Sequence, residues 1–256
     1  MTNNSPEPGA AAPSADPVFE GVFGPFTITA HDRREVLRYR LALLAVAVGQ
    51  LGLVLQAVLL AAGLPGSGSL GPAAAGSGLV VSGSAGFSGL ASAPLWPWLL
   101  PMLAGLGLAL RWIHIYLIPL HRALQLLWLL GCLGFLALAL RAGPDGMALA
   151  LIDDSRWIWA IGPFFAALAG VGFKEFFCFR RPEAIGVTLL LPIALLGHLS
   201  GLLAPAACGA LLALQALLLL VLCLRKFPMP AAADIGDKSV FEHLRQQRLA
   251  ASRQPA

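Results

Sequence analysis

The stretch IGVTLLLPIALLGHLSGLLAPAACGALLALQALLLLVLCL, Ile185 to Leu224, contains no Asp, Glu, Lys or Arg. A bilayer core of roughly 30 Å takes about 20 mostly apolar residues per helix, so this stretch is long enough to cross twice. Only Pro205 divides it, giving the runs Ile185–Ala204 and Ala206–Leu224. Proline disfavours helix in the residue before it. The stretch therefore reads as two antiparallel membrane helices joined by a tight connection.

Working outward, the same criterion finds Leu41–Gly63, the shorter Leu95–Leu110, Ala123–Leu140 and Trp157–Phe173. The expected fold is all-α, a polytopic membrane bundle of six transmembrane helices. Composition agrees: 58% of the 256 residues are hydrophobic and 12% charged, where soluble domains carry about a quarter charged residues. Basic residues then set the orientation. All but Arg141 and Arg156 of the 17 lysines and arginines fall before the first span, between the second and third, between the fourth and fifth, or after the sixth. By the positive-inside rule both termini face the cytoplasm. The net charge of +4 is accounted for by topology and calls for no nucleic acid.

Between the spans the chain has few features of its own. Residues 1–30 read as a mostly disordered tail rich in Pro, Ala, Ser and Asn at its start, with no apolar core of a cleavable signal peptide. Residues 64–94 form an uncharged Gly/Ser loop, expected to be flexible. Residues 227–256 make a cytoplasmic tail. Two capping boxes stand out, Thr29-Ala-His-Asp32 before the first span and Ser239-Val-Phe-Glu242 in the tail. The second would start a short amphipathic helix with Phe241, Leu244, Arg245 and Arg248 on one side, suited to the inner leaflet. Cys132, Cys178, Cys208 and Cys223 lack any CxxC spacing, which argues against a disulfide framework or zinc site.

The polar residues near the spans are the candidate site residues. LRWIHIYLIPLHRALQ, Leu110 to Gln125, places Arg111, His114, His121 and Arg122 within one stripe if wound as a continuous helix. It reads as a surface elbow between spans. The competing reading runs the second span on to Ile118 and buries Arg111 and His114. Seven residues between the histidines is two helical turns, a poor spacing for one metal. With Lys174, Glu175, Arg180 and Arg181 from the next basic loop, these residues make a candidate collar for anionic lipid headgroups or the acidic loops of a partner. Gly197, His198 and Gly201 form a GxxxG pair around a histidine, expected to let a neighbouring helix approach. A single histidine holding the magnesium of a chlorin stays open, although no cofactor is required.

One enzymatic pattern competes. Lys174 to Pro182, KEFFCFRRP, is similar to the opening element of phosphatidic-acid-phosphatase active sites, which hold phosphate with lysine and arginine. The other elements of that family, a PSGH segment and a later histidine with its aspartate, are absent.

A broader resemblance runs through GVFGPFTITAHDRREVLRYR, LALRWIHIYLIPLHRALQLLW, FFAALAGVGFKEFFCFRRPEA, LLGHLSGLL and DIGDKSVFEHLR. From about Glu20 to Leu244, with the Gly/Ser loop set aside, the chain resembles a family of uncharacterised cyanobacterial integral membrane proteins. The resemblance implies a thylakoid or plasma membrane and photosynthetic membrane complexes as partners, and brings no catalytic residues with it. Three function classes follow in order: a non-enzymatic assembly or stabilising factor, a small-solute transporter or channel, and a lipid phosphate enzyme.

Overall fold

The computed structural model describes residues 17–61, 95–115, 117–143 and 146–251. Two short strands come first, β1 (Val18–Gly21) and β2 (Gly24–Thr27). Helices follow: α1 (Ala30–Ala61), α2 (Trp96–Trp112), α3 (Ile118–Ala142), α4 (Met147–Asp153), α5 (Trp157–Phe179), α6 (Pro182–Leu199), α7 (Pro205–Lys226), α8 (Ala232–Ile235) and α9 (Lys238–Ala251). The described residues divide into two compact units, one of those up to Val36 with those from Pro230 on, and one of those from Leu37 to Met229.

Among the described residues, five helices are long and apolar enough to cross a membrane: α1, α3, α5, α6 and α7. The remaining expected span appears as α2, a helix of 17 residues that rises about 25 Å at 1.5 Å per residue. The outward faces are apolar, as on α3 (Leu126, Leu129, Leu130, Leu133, Leu136, Leu140) and α6 (Ile185, Leu189, Ile193, Leu196). Faces of this extent mark lipid or partner contact. Inside lie Leu43, Val46, Met102, Leu106, Leu138, Phe164, Leu168, Leu191 and Leu219.

Small residues set the closest approaches. A Cβ built on Gly134 would fall within the Ala160 carbonyl, and one on Gly131 within the Phe164 backbone, so α3 and α5 touch main chain to main chain. Trp128 on α3 donates its indole N–H to the Leu103 carbonyl of α2 at 2.9 Å, an interhelical bond worth keeping where water is excluded.

The hairpin read from Ile185–Leu224 is present, with a longer connection than Pro205 alone. Helix α6 stops at Leu199, where the Ser200 amide donates to Leu196 and Gly201 turns left-handed at φ +69°. Pro205 then opens α7, a position where its missing N–H costs nothing. Gly197 and Gly201 do not share one helical face, because the helix ends between them. The nearest atoms to a Cβ on Gly197 are those of Leu203 in the following turn, and Gly201 lies past the helix end with open space around it.

The smaller unit holds the strands, the start of α1, α8 and α9. Residues 18–27, within the expected tail, form an antiparallel hairpin with Phe19 opposite Phe26 and their rings stacked at 5.6 Å. Residues 1–16, and the Gly/Ser loop between 62 and 94, lie outside the described residues. Phe19, Phe26, Ile28, Val36 and Ile235 make a small core. The first capping box is formed: the Thr29 amide donates to Asp32 at 2.7 Å and the Asp32 amide to Thr29 Oγ1 at 3.3 Å. The second is replaced by Asp237, which accepts from the amide and hydroxyl of Ser239 at 2.9 and 2.6 Å, so α9 starts at Lys238. Asp237 also accepts from the Val22 amide at 2.7 Å, and Ser239 Oγ accepts from the Phe23 amide at 3.0 Å. The loop before α9 thereby holds the hairpin turn.

Candidate functional site

Near the end of α5 the apolar run is interrupted by Lys174 and Glu175. Adjacent residues on a helix point about 100° apart, yet both side chains are buried, Lys174 at 9% and Glu175 at 0% exposure. Burial of a carboxylate is tolerable only when it is paired and hydrogen-bonded. Glu175 Oε1 accepts from the Tyr39 hydroxyl of α1 at 2.6 Å and from Lys174 Nζ at 3.3 Å. Glu175 Oε2 accepts from Nζ of Lys226, the last residue of α7. One carboxylate therefore ties three helices that are far apart in sequence.

Two aromatic rings complete the site. Lys226 Nζ lies 4.4 Å from the centroid of Phe179 and 5.0 Å from that of Tyr39. Lys174 Nζ lies 5.5 Å from Tyr39 and 5.8 Å from Phe179. Ring faces attract cations most strongly when water is excluded, so the ammonium groups are held by carboxylate and π-faces together. Next to Tyr39, buried Arg40 donates to the Met229 carbonyl at 2.9 Å and the Phe227 carbonyl at 3.3 Å. Those carbonyls follow the end of α7, where backbone acceptors lack helical partners. A second charged contact joins Glu183 of α6 to Arg225 of α7.

The expected collar therefore divides. Arg111, Arg122 and Arg180 are exposed, as a headgroup-binding role requires. Arg180 sits in the left-handed region at φ 49° and ends α5, its amide donating to Phe176 at 2.7 Å. Arg181 is half-buried, with a guanidinium nitrogen 3.8 Å from the Met229 sulfur. Lys174 and Glu175 leave the collar, because their side chains turn inward to Tyr39 and Lys226. With Lys174 committed to Glu175, it does not present the open lysine that a phosphate site of the KEFFCFRRP kind needs.

The stretch between α2 and α3 is not one flat helix. Helix α2 ends at Trp112, Ile113 is extended at φ −69° and ψ 132°, and α3 starts afresh at Ile118 with Pro119 in its first turn. A helix continuing through would set the Pro119 ring against the carbonyl four residues earlier. The stripe read from a continuous wheel is thus broken between His114 and His121. His121 instead fastens the elbow, its Nε2 lying 2.7 Å from the Leu110 carbonyl oxygen. Arg38 covers the Trp112 ring at 5.8 Å. His198, half-buried, has Nε2 3.0 Å from the Leu151 carbonyl oxygen. Each of these two histidine rings thus has one nitrogen engaged by a backbone carbonyl of another element.

Tyr39, Arg40, Phe179 and Lys226 were not singled out in the sequence. The available signal was Glu175 itself. An acid inside the end of an apolar span needs cationic partners, and Lys226 closes the only other span that ends in consecutive basic residues.

Comparison with known proteins adds a family. Residues 108–243 match the family model described as uncharacterized integral membrane protein (DUF2301). No curated protein and no solved structure matches the chain.

Proposed function

Because the chain belongs to the DUF2301 family of uncharacterized integral membrane proteins, we propose that it is a non-enzymatic assembly or stabilising factor. Its setting is a photosynthetic membrane, thylakoid or plasma membrane, of a cyanobacterial cell. In this reading α2 is the second of six spans and both termini are cytoplasmic. The observation that carries the reading is the inward closure of the charged site. Tyr39, Lys174, Glu175 and Lys226 bind one another across α1, α5 and α7, while the outward faces of α3 and α6 are apolar and Arg111, Arg122 and Arg180 are exposed. Such a body holds its own shape and offers surfaces. The habitat rests on the resemblance of its five sequence blocks to cyanobacterial membrane proteins.

Partner contact is assigned to Arg111, Arg122 and Arg180, which would meet anionic headgroups or acidic loops at the cytoplasmic surface. Replacing Arg111 and Arg122 together by Gln tests this in mild detergent. Loss of co-purifying lipid or protein, with helical content kept, supports the assignment. Unchanged co-purification overturns it.

A transporter is the second reading, since ionisable groups within spans commonly mark ion paths. The buried Gln50–Gln215 pair supplies a second polar point. Each glutamine is 11 positions from Tyr39 or Lys226 on its own helix, about 16 Å of rise, and Leu43, Val46, Ala47, Ala216, Leu219 and Cys223 are buried between them. Proton-coupled or ion-coupled flux in vesicles would make this reading the better one.

A further inference from the structure

Gln50 of α1 and Gln215 of α7 are buried to 2% and 0% exposure, near the middle of their apolar helices. Gln50 donates from Nε2 to Gln215 Oε1. The reciprocal bond is not made: among the described residues, Gln50 Oε1 and Gln215 Nε2 have no hydrogen-bond partner. Two carboxamides joined by one bond thus leave the Gln50 oxygen and the Gln215 amide nitrogen open within one buried pair. The requirement is the same whichever way the pair is turned. Exchanging oxygen and nitrogen in both amides keeps a bond between them and again leaves one amide oxygen and one NH2 group open. Exchanging them in only one sets like against like.

We propose that Gln50 and Gln215 form an intramembrane seat for a neutral hydroxyl group, which donates its proton to one amide and accepts from the other. A metal cation would satisfy only the acceptor, and an anion or a carbonyl only the donor. Water and the hydroxyl of a membrane alcohol are the two sources of this chemistry. Buried water takes two to four polar partners, and the pair supplies two. The proposal is independent of the partner-binding role assigned to the arginines.

The test uses the full chain in lipid nanodiscs. Brief X-ray radiolysis in heavy-oxygen water should add the isotope to Leu53 or Leu219, one helical turn from the glutamines, if water occupies the seat. Native mass spectrometry should instead show a retained neutral lipid alcohol if that is the occupant. Either signal should fall by about tenfold in Q50L/Q215L, whose helical content reports whether it folds. Wild-type protein with neither isotope at these leucines nor a bound neutral mass would overturn the proposal, whatever the variant does.

Discussion

Glu175 accepts three hydrogen bonds from three directions, and two of its donors are ammonium groups. Removing its charge leaves Lys174 and Lys226 in a space built for a carboxylate. Breaking a buried pair from one side costs roughly 3–5 kcal/mol, so E175Q should lower thermal stability in detergent by about that much. Y39F removes the hydroxyl that donates to the Glu175 carboxylate and should cost about 1.5–3 kcal/mol. Equal stability of E175Q and wild type would remove the site from any structural role. At Asp237 the same logic becomes a pH dependence. The Ser239 hydroxyl, with the Val22 and Ser239 amides, holds the Asp237 carboxyl below its ordinary value. The folded form thus binds the proton less well than the unfolded chain. The contribution is present above the ordinary aspartate value of about 3.9 and is lost as pH falls through the lower folded value. Protection of the Val22 and Phe23 amides against hydrogen exchange, relative to their intrinsic rates, should hold from neutral pH to about pH 4, fall in stronger acid, and lose this acid dependence in D237N.

Between elements, the contact of α3 with α5 depends on glycine. G134A would press its methyl group onto the Ala160 carbonyl, which main chain cannot yield without separating the helices. The expected cost is about 1–3 kcal/mol, measured by unfolding in detergent. Gly162 is the control: the nearest atom to its built Cβ is 3.8 Å away, so G162A should be neutral or stabilise by up to about 1 kcal/mol. Matching effects of the two alanines would show that close packing is not what Gly134 provides. Much at this scale was legible beforehand. Long apolar runs located α1, α3, α5, α6 and α7, and Thr29 with Asp32 announced the start of α1. The shape of residues 110–125 was not legible, because a helical wheel assumes continuity and the chain is extended at Ile113. The strands of residues 18–27 escaped because four-residue strands leave little periodicity. The spacing of Gly197 and Gly201 does not show that the second glycine lies beyond the helix end.

In the larger unit, apolar outward faces and a charged knot inside invert the arrangement of a soluble protein. That inversion could be foreseen from composition, but its centre could not. Tyr39 and Glu175 are 136 positions apart and Glu175 and Lys226 are 51 apart, separations over which local patterning carries no information. The proposed topology makes its own prediction. Reporter fusions after Ala256 and in the loop after Arg180 should both report the cytoplasm, and a fusion near Asp154 the opposite side. A periplasmic or lumenal signal at Ala256 would require five spans, with α2 not crossing. The central claim is that this bundle serves other membrane complexes, and gentle purification of the full chain from its native membrane tests it most directly. An absorption spectrum and mass spectrometry of everything retained should reveal photosynthetic subunits or a chlorin band that diminish when Arg111 and Arg122 are replaced. A colourless protein that emerges alone from the native membrane would contradict it.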